Sequence, residues 1–299
     1  MDRDILIHLP AVLAVARSRS FAAAAKELSM SPSAVSHAVR SVEDRLGLPL
    51  FTRTTRSVSL TETGRDFVAA TAPAASDIAD AVDRARAANG QVTGLLRLNI
   101  PSPTIALCID RVVREMTSRY PDLRIEVYCE NSNVDIFADG FDAGVRLGGM
   151  IAEDMVAIRL TPPFRTALVA APSYLQRHGT PVRVSDLQDH NCITYRKSKS
   201  ETLFDWYLKD GGEEVSIEVK GSIVVNDVSY ARQLALDGFG IVYVYEPLLR
   251  EEIADGRLVE ILQDSVMEKP GFFLYFPQRA SRSPKLRAFI DTAKDVLKL

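Results

Sequence analysis

The chain has 299 residues, 46% hydrophobic and 25% charged, with a formal net charge of −3 at pH 7. That length suits about two domains, each with its own core, and the composition is ordinary for a globular protein. No apolar run approaches the roughly 18 residues that span a bilayer, and the opening MDRDILIHLP lacks the basic leader and apolar core of a secretory signal; no membrane partner and a cytoplasmic location are expected.

Charge is unevenly placed along the chain. Residues 1–65 carry nine Lys/Arg against six Asp/Glu, an excess of three positive charges, while the remaining 27 basic and 33 acidic residues leave six negative. A basic bias in the first fifth is where phosphate contacts would need it. In that segment Leu9, Val12, Leu13 and Ala16 share one face of a first helix, with Pro10 in its first turn or kinking it. Ser20 caps a short alanine-rich helix over Phe21–Leu28, and Ser29-Met30-Ser31 makes a tight turn. Ser31 then stands as N-cap with Pro32 at the first helical position, and Gly47 is the matching stop. Two helices joined by so short a turn form a helix-turn-helix pattern.

The third helix carries two opposed faces. Val35, Val39, Val42 and Leu46 recur at spacings of four, three and four, which makes them the buried stripe. Ser33, Ser36, His37 and Arg40 fall on the other side, with no acid before Glu43. Short hydroxyls let a helix backbone approach the major groove, and an imidazole and a guanidinium reach acceptors on base edges. A merely solvated face is the competing reading. The following LFTR and VSLT flank Thr54-Thr55-Arg56 as a hairpin, presenting Arg53 and Arg56 where a wing would touch phosphate.

Residues 66–89 are rich in Ala and free of Gly. Thr71, Ala75, Ile78, Val82, Ala85 and Asn89 follow alternating four- and three-residue steps, the seam of paired helices. Packing on the chain's own domain is the alternative to pairing two subunits. Pro73 predicts a bend or a helix start near Ala72, and Asn89-Gly90 a stop. Beyond Val92, strands LLRLNI, LRIEVYC, FDAGVRL and RTALVAA alternate with helices IALCIDRVVREMTSRY and SYARQLALDG, which predicts an α/β layer of largely parallel strands.

Three isolated cysteines, Cys108, Cys129 and Cys192, lack metal-ligand spacing; they read as buried hydrophobes of a reducing compartment, with thiol sensing as the minority alternative. His8, His37, His178 and His190 are too dispersed for a catalytic or metal cluster, and Gly238-Phe239-Gly240 reads as a helix stop and turn. Absence of a nucleophile elbow, a zincin motif or a P-loop argues against an enzyme, and no cofactor or metal is expected.

The stretch SFAAAAKELSMSPSAVSHAVRSVEDRLGLPLFTRTTRSVSLTETG resembles the winged helix-turn-helix of LysR-type transcriptional regulators nearly residue for residue. GFDAGVRLGG, LVAAPSYLQRHG, SDLQDHNCITYR, LALDGFGIVYVYEPLLREEIADGRLVEIL and SPKLRAFID are similar to that family's effector domain, so the resemblance covers essentially the whole chain. It implies an α+β / α/β multidomain protein: a winged helix-turn-helix at 1–64, a linker and dimerisation helix at 65–90, and an effector domain at 91–299. The last would be of the type 2 periplasmic-binding-protein-like form, with subdomain I at about 92–162 and 270–299 and subdomain II at about 163–269.

For the DNA-binding residues the resemblance implies Ser31, Pro32, Ser33, Ser36, His37 and Arg40 on the helix and Arg53, Thr54, Thr55 and Arg56 on the wing. Many family members carry Gln where this chain has Pro32 and Arg where it has His37, so contact at Pro32 would be apolar and His37 would reach less far. For a small-molecule effector between the subdomains it implies Ser102, Thr104, Asn131, Ser132, Arg146, Gly148, Thr194, Tyr195, Arg196, Asn226 and Asp227. Hydroxyls and backbone N–H groups at a helix start suit an anion, and Arg146 or Arg196 could add a charge-assisted contact. Helix capping by Ser102 and Thr104, and surface ion pairs for the arginines, compete with those roles. The implied partners are double-stranded operator DNA with an inverted repeat, a homodimer or homotetramer, and RNA polymerase. A solute-binding transport component and a redox or ligand-independent regulator are the rival readings.

Overall fold

A computed structural model of the chain describes residues 2–53, 57–87, 91–130, 140–196 and 202–299. Helix α1 (Arg3–Ser18) is capped by the Asp2 carboxylate, which accepts from Asp4 N at 3.0 Å. Pro10 lies well inside this helix, not in its first turn. Ser20 caps α2 (Phe21–Glu27) through Ala23 N at 3.2 Å, and Ser31 caps α3 (Pro32–Leu46) through Ala34 N at 3.1 Å. Gly47 ends α3 in the left-handed region at φ +67°, a conformation a side chain would strain. Strands β1 (Phe51–Arg53) and β2 (Val58–Leu60) pair antiparallel, Phe51 opposite Leu60. Val12, Val15, Val35, Val39, Val42 and Leu50 are fully buried in this unit's core. Leu46, expected on the same stripe, is half-buried.

Helix α4 (Glu62–Ala87) passes through Pro73 without a new start at Ala72. The missing N–H of a proline costs one helical hydrogen bond, and here the helix continues on both sides of it. Val68 belongs to the core of the N-terminal unit. The expected stop at Asn89-Gly90 and the wing tip Thr54-Thr55-Arg56 lie outside the described residues.

The rest of the chain contains β3 (Gly94–Ile100), a π-helical turn at Ile105–Ile109 leading into α5 (Asp110–Arg119), β4 (Leu123–Cys129), β5 (Ala143–Leu147), β6 (Met155–Arg159) and β7 (Phe164–Ala170). After it come α6 (Pro172–His178), β8 (Thr194–Tyr195), β9 (Trp206–Asp210), β10 (Glu213–Ile217), β11 (Val224–Val225) and α7 (Val228–Leu236). The chain closes with β12 (Val242–Tyr245), α8 (Arg250–Ala254), β13 (Val259–Ile261), β14 (Glu268–Lys269), β15 (Phe272–Pro277) and α9 (Pro284–Leu297). Gly238, at φ +76°, follows α7 as the expected helix stop.

Two sheets organise these elements, and neither is largely parallel. One runs β4-β3-β5-β15-β6, in which only the β3 pairings with β4 and β5 are parallel. The other is built around β7, flanked antiparallel by β12 on one side and met antiparallel by β13 and β14. The expectation failed for a topological reason. β15 comes back from the β7 sheet and inserts between β5 and β6 with reversed direction. β5 and β6 therefore run in the same direction with β15 antiparallel between them, so the local β5–β6 link does not set the mixed character of the sheet; the distant return of β15 does.

Two connections join the sheets, Leu160–Pro163 outward and Pro270–Gly271 back. They are stapled together: Leu160 N donates to Phe272 O at 2.8 Å, and Phe272 N to Thr161 Oγ1 at 2.9 Å. Alternate residues of β7 enter different cores. Leu168 packs with Trp206 and Leu208, whereas Ala167 and Val169 pack with Leu234 and Val242. None of the described helices is long and apolar enough to cross a membrane.

Candidate functional site

The valine stripe turns the opposite face of α3 outward, so Ser31, Pro32, Ser33, His37 and Arg40 are exposed and Ser36 is half-buried. Ser31 Oγ is occupied by its cap and by Ser33 Oγ at 2.9 Å. His37 and Arg40 have no hydrogen-bond or ion-pair partner among the described residues, which leaves both side chains available to an external acceptor. Arg53 is differently placed. It donates to Ser36 Oγ at 3.1 Å, lies 3.7 Å from the Glu43 carboxylate, and stacks with Cζ 4.2 Å from the Phe21 ring centre. The other Glu43 oxygen accepts from Leu50 N at 2.8 Å and Phe51 N at 3.1 Å. Glu43 therefore locks the wing to the helix, a role that the sequence pattern did not single out.

A cavity of about 380 Å³ opens between the two sheets. Of the expected effector residues, Arg146 and Tyr195 line it. Arg146 is buried and donates to Val145 O at 2.7 Å and Asn99 Oδ1 at 2.8 Å; burial pulls its pKa below the ordinary arginine value, against the opposing pull of Tyr275 and Glu130. Tyr195 OH donates to Asn226 O at 3.0 Å.

Several of the other described residues make capping or backbone contacts at strand ends and helix starts. Thr104 is buried with its hydroxyl on Pro101 O at 2.6 Å, and the neighbouring Ser102 accepts at its carbonyl from Ile105 N. Asp227 caps α7 through Tyr230 N at 2.8 Å. Gly148 N donates to Gly271 O, Thr194 N to Ile223 O and Arg196 N to Val225 O. Asn131 and Ser132 lie outside the described residues.

Aromatic residues that sequence reasoning passed over dominate the cavity: Phe204, Trp206, Tyr207, Tyr243, Tyr245 and Phe272. Their signal was present as the period-two VYVY of β12 and the lone tryptophan. Lys269, half-buried, is the other cation on its wall.

Two of the three cysteines, Cys108 and Cys192, are buried as expected, whereas Cys129, at the end of β4, is exposed. Burial pushes Cys108 and Cys192 up to about 12, and exposed Cys129 is raised by partial burial and by Asp227. Two of the dispersed histidines do meet: His178 and His190 flank Tyr174, whose hydroxyl lies 3.2 Å from His190 Nδ1.

Residues 6–65 match the model of the bacterial regulatory helix-turn-helix protein, lysR family, and residues 89–298 that of the LysR substrate binding domain. The chain is 37% identical over 281 residues to the uncharacterised HTH-type transcriptional regulator YcaN of Escherichia coli (strain K12), covering 94% of this chain and 92% of that one. It is 34% identical over 294 residues to the HTH-type transcriptional regulator PgrR of the same organism, with 98% of each covered. The solved structure of CrgA, a LysR-type transcriptional regulator from Neisseria meningitidis, superposes with a TM-score of 0.62 at 26% identity, covering 98% of this chain and 99% of that one. An exposed polar helix beside a wing, a separate cavity between two sheets, and both family models together lead to one conclusion: the chain belongs to the LysR family of transcriptional regulators, a helix-turn-helix unit joined to an effector-binding domain.

Proposed function

We propose that the protein is a cytoplasmic regulator, not a catalyst, that binds an inverted-repeat operator as a dimer or tetramer. The observation that carries this reading is the outward face of α3, where His37 and Arg40 stand exposed without partners among the described residues. In this reading Ser33, Ser36 and His37 address base edges, Pro32 offers an apolar contact, and Arg40, Arg53, Arg56 and the wing threonines hold phosphate. The surface of α4 supports pairing of subunits: Ile78 is 64% and Val82 46% exposed while Asp80 on the same helix is 6% exposed. A helix that buries an acid and leaves branched apolar side chains in water is laid out for a second partner.

The effector binds in the cavity between the sheets and biases the angle between the subdomains. That alters the spacing of recognition helices, DNA bending and access of RNA polymerase. Ligand control of this kind requires different affinities for the two arrangements. Footprinting the purified protein on genomic DNA tests the reading: two protected half-sites about 34 Å apart, or a multiple of that spacing, are expected. Protection without a dyad, or no preference over random DNA, overturns it.

A further inference from the structure

Strand register places one cation, Lys269, and two phenols, Tyr243 and Tyr245, on the aromatic wall of the cavity. Lys269 pairs with Phe164 across β7, Tyr245 with Thr166, and Tyr243 with Leu168. Residues opposite each other in an antiparallel pair share a face, and positions 164, 166 and 168 share one because strand side chains alternate. Lys269, Tyr245 and Tyr243 thus project from the same face as Phe164, which packs at 5.1 Å from Tyr245 and 5.5 Å from Phe272. Tyr243 stacks 5.6 Å from Trp206 and donates its hydroxyl to Tyr207 O at 2.6 Å.

The Tyr245 hydroxyl and the Lys269 ammonium, by contrast, have no hydrogen-bond partner among the described residues, and both line the cavity. Burial lowers the lysine, with Glu214 opposing from a distance, and pushes Tyr245 up to about 12, so the phenol remains a donor. An ammonium on the cavity wall with no ion-pair partner within 4 Å among the described residues, and only the more distant Glu214 to offset it, carries a desolvation penalty that a bound anion would reduce.

We propose that the cavity takes a planar, largely apolar molecule bearing a single carboxylate, with rings against Trp206, Tyr243 and Phe272 and the carboxylate on Lys269 and Tyr245. The proposal rests on the effector-binding reading above and narrows its ligand class. A cavity of about 380 Å³ is within the usual small-ligand range of about 300–1,000 Å³. Arg146, the other cation, already donates to Val145 O and Asn99 Oδ1. A dicarboxylate or a free amino acid would strip water from two charged ends on a wall where, among the described residues, Lys269 is the cation without a hydrogen-bond or ion-pair partner. Lys269 also precedes the Pro270–Gly271 connection, so a carboxylate there touches the strand that joins the subdomains.

Trp206 is the chain's single tryptophan and lines the cavity, so its emission reports occupancy in the full-length protein. Benzoate, 3-phenylpropanoate and 2-phenylacetate serve as acid probes, with 3-phenylpropanamide, 3-phenylpropylamine and succinate as controls. At least one aromatic acid is expected to shift Trp206 emission saturably below about 10 mM and to bind about tenfold or more tighter than the amide, the amine or succinate.

Lys269→Met should erase that preference while leaving amide binding within about twofold, and Lys269→Arg should retain it. The proposal is overturned if no aromatic acid responds, if acid and amide bind equally, or if Lys269→Met binds the acid like the parent protein. A response to succinate or the amine alone rejects the ligand class but keeps the cavity as effector site. A ligand that changes operator binding while Trp206 stays silent rejects the site itself.

Discussion

At the scale of single residues, the exposed face of α3 separates two kinds of contact. His37 carries no internal role, so its removal changes recognition without touching the core. His37→Ala should lose roughly 1–3 kcal/mol on the cognate operator and leave binding to random DNA unchanged, measured by competition at fixed salt; equal loss on both would make it a phosphate contact. Arg53 cannot be tested so cleanly, because it also holds Ser36, Glu43 and Phe21 together. His190 offers a pH signature. Burial lowers its pKa from 6.5, and His178 lowers it further. The unfolded chain therefore takes up the proton first, and the stability from neutral His190 is present above 6.5 and lost as pH falls through the folded value. Acidification from about pH 7.5 to about 5.5 should lower the melting temperature of the effector domain, and His190→Gln should flatten that slope. An unchanged slope would assign the acid sensitivity to other groups.

At the scale of elements, helix punctuation was legible and strand direction was not. Ser20, Ser31, Pro32, Gly47 and Gly238 act within one turn of their own position, so local chemistry suffices to read them. The orientation of β15 depends on where a distant return connection enters the sheet, and no local pattern encodes that. The join between wing and α4 falls between these cases. Thr61 Oγ1 accepts from Gly64 N at 2.9 Å and donates to Pro49 O at 2.8 Å, drawing the helix start onto the segment before β1. A Cβ on Gly64 would stand 2.0 Å from Leu50 O, a backbone atom that cannot swing away. Gly64→Ala should therefore cost about 1–3 kcal/mol of N-terminal-unit stability and weaken operator binding by tilting the wing. Gly149, where an added Cβ would meet nothing within 4 Å and the backbone is not left-handed, is the control; Gly149→Ala should stay within about 0.5 kcal/mol of the parent in urea titrations.

At the scale of the whole molecule, the two functional regions were legible to different degrees. The outward face of α3 is a continuous run of sequence on one helix, so Ser33, Ser36, His37 and Arg40, the residues proposed to contact DNA, could be grouped from spacing alone. The cavity is assembled from β8, β9, β12 and the returning strand. Its aromatic wall therefore emerges only after folding, and of the residues named from strand ends Arg146 and Tyr195 line it. Spacing leaves the α4 seam open between self-packing and subunit pairing, and in the folded chain its two halves differ. Thr71 and Ala75 are half-buried against the chain itself, whereas Ile78, Val82 and Ala85 are exposed. Burying a branched aliphatic side chain is worth roughly 1.5–3 kcal/mol, and in a two-fold pair each of these residues contributes twice. Ile78→Glu with Val82→Glu replaces that gain with like charges facing one another across the axis. Sedimentation should show the dimer weakened by about 100-fold or more, since each 1.4 kcal/mol is a factor of ten. Because α3 is untouched, binding to an isolated half-site should persist while the tighter binding to the full dyad collapses toward it. If the double variant remains a dimer, the pairing surface lies elsewhere.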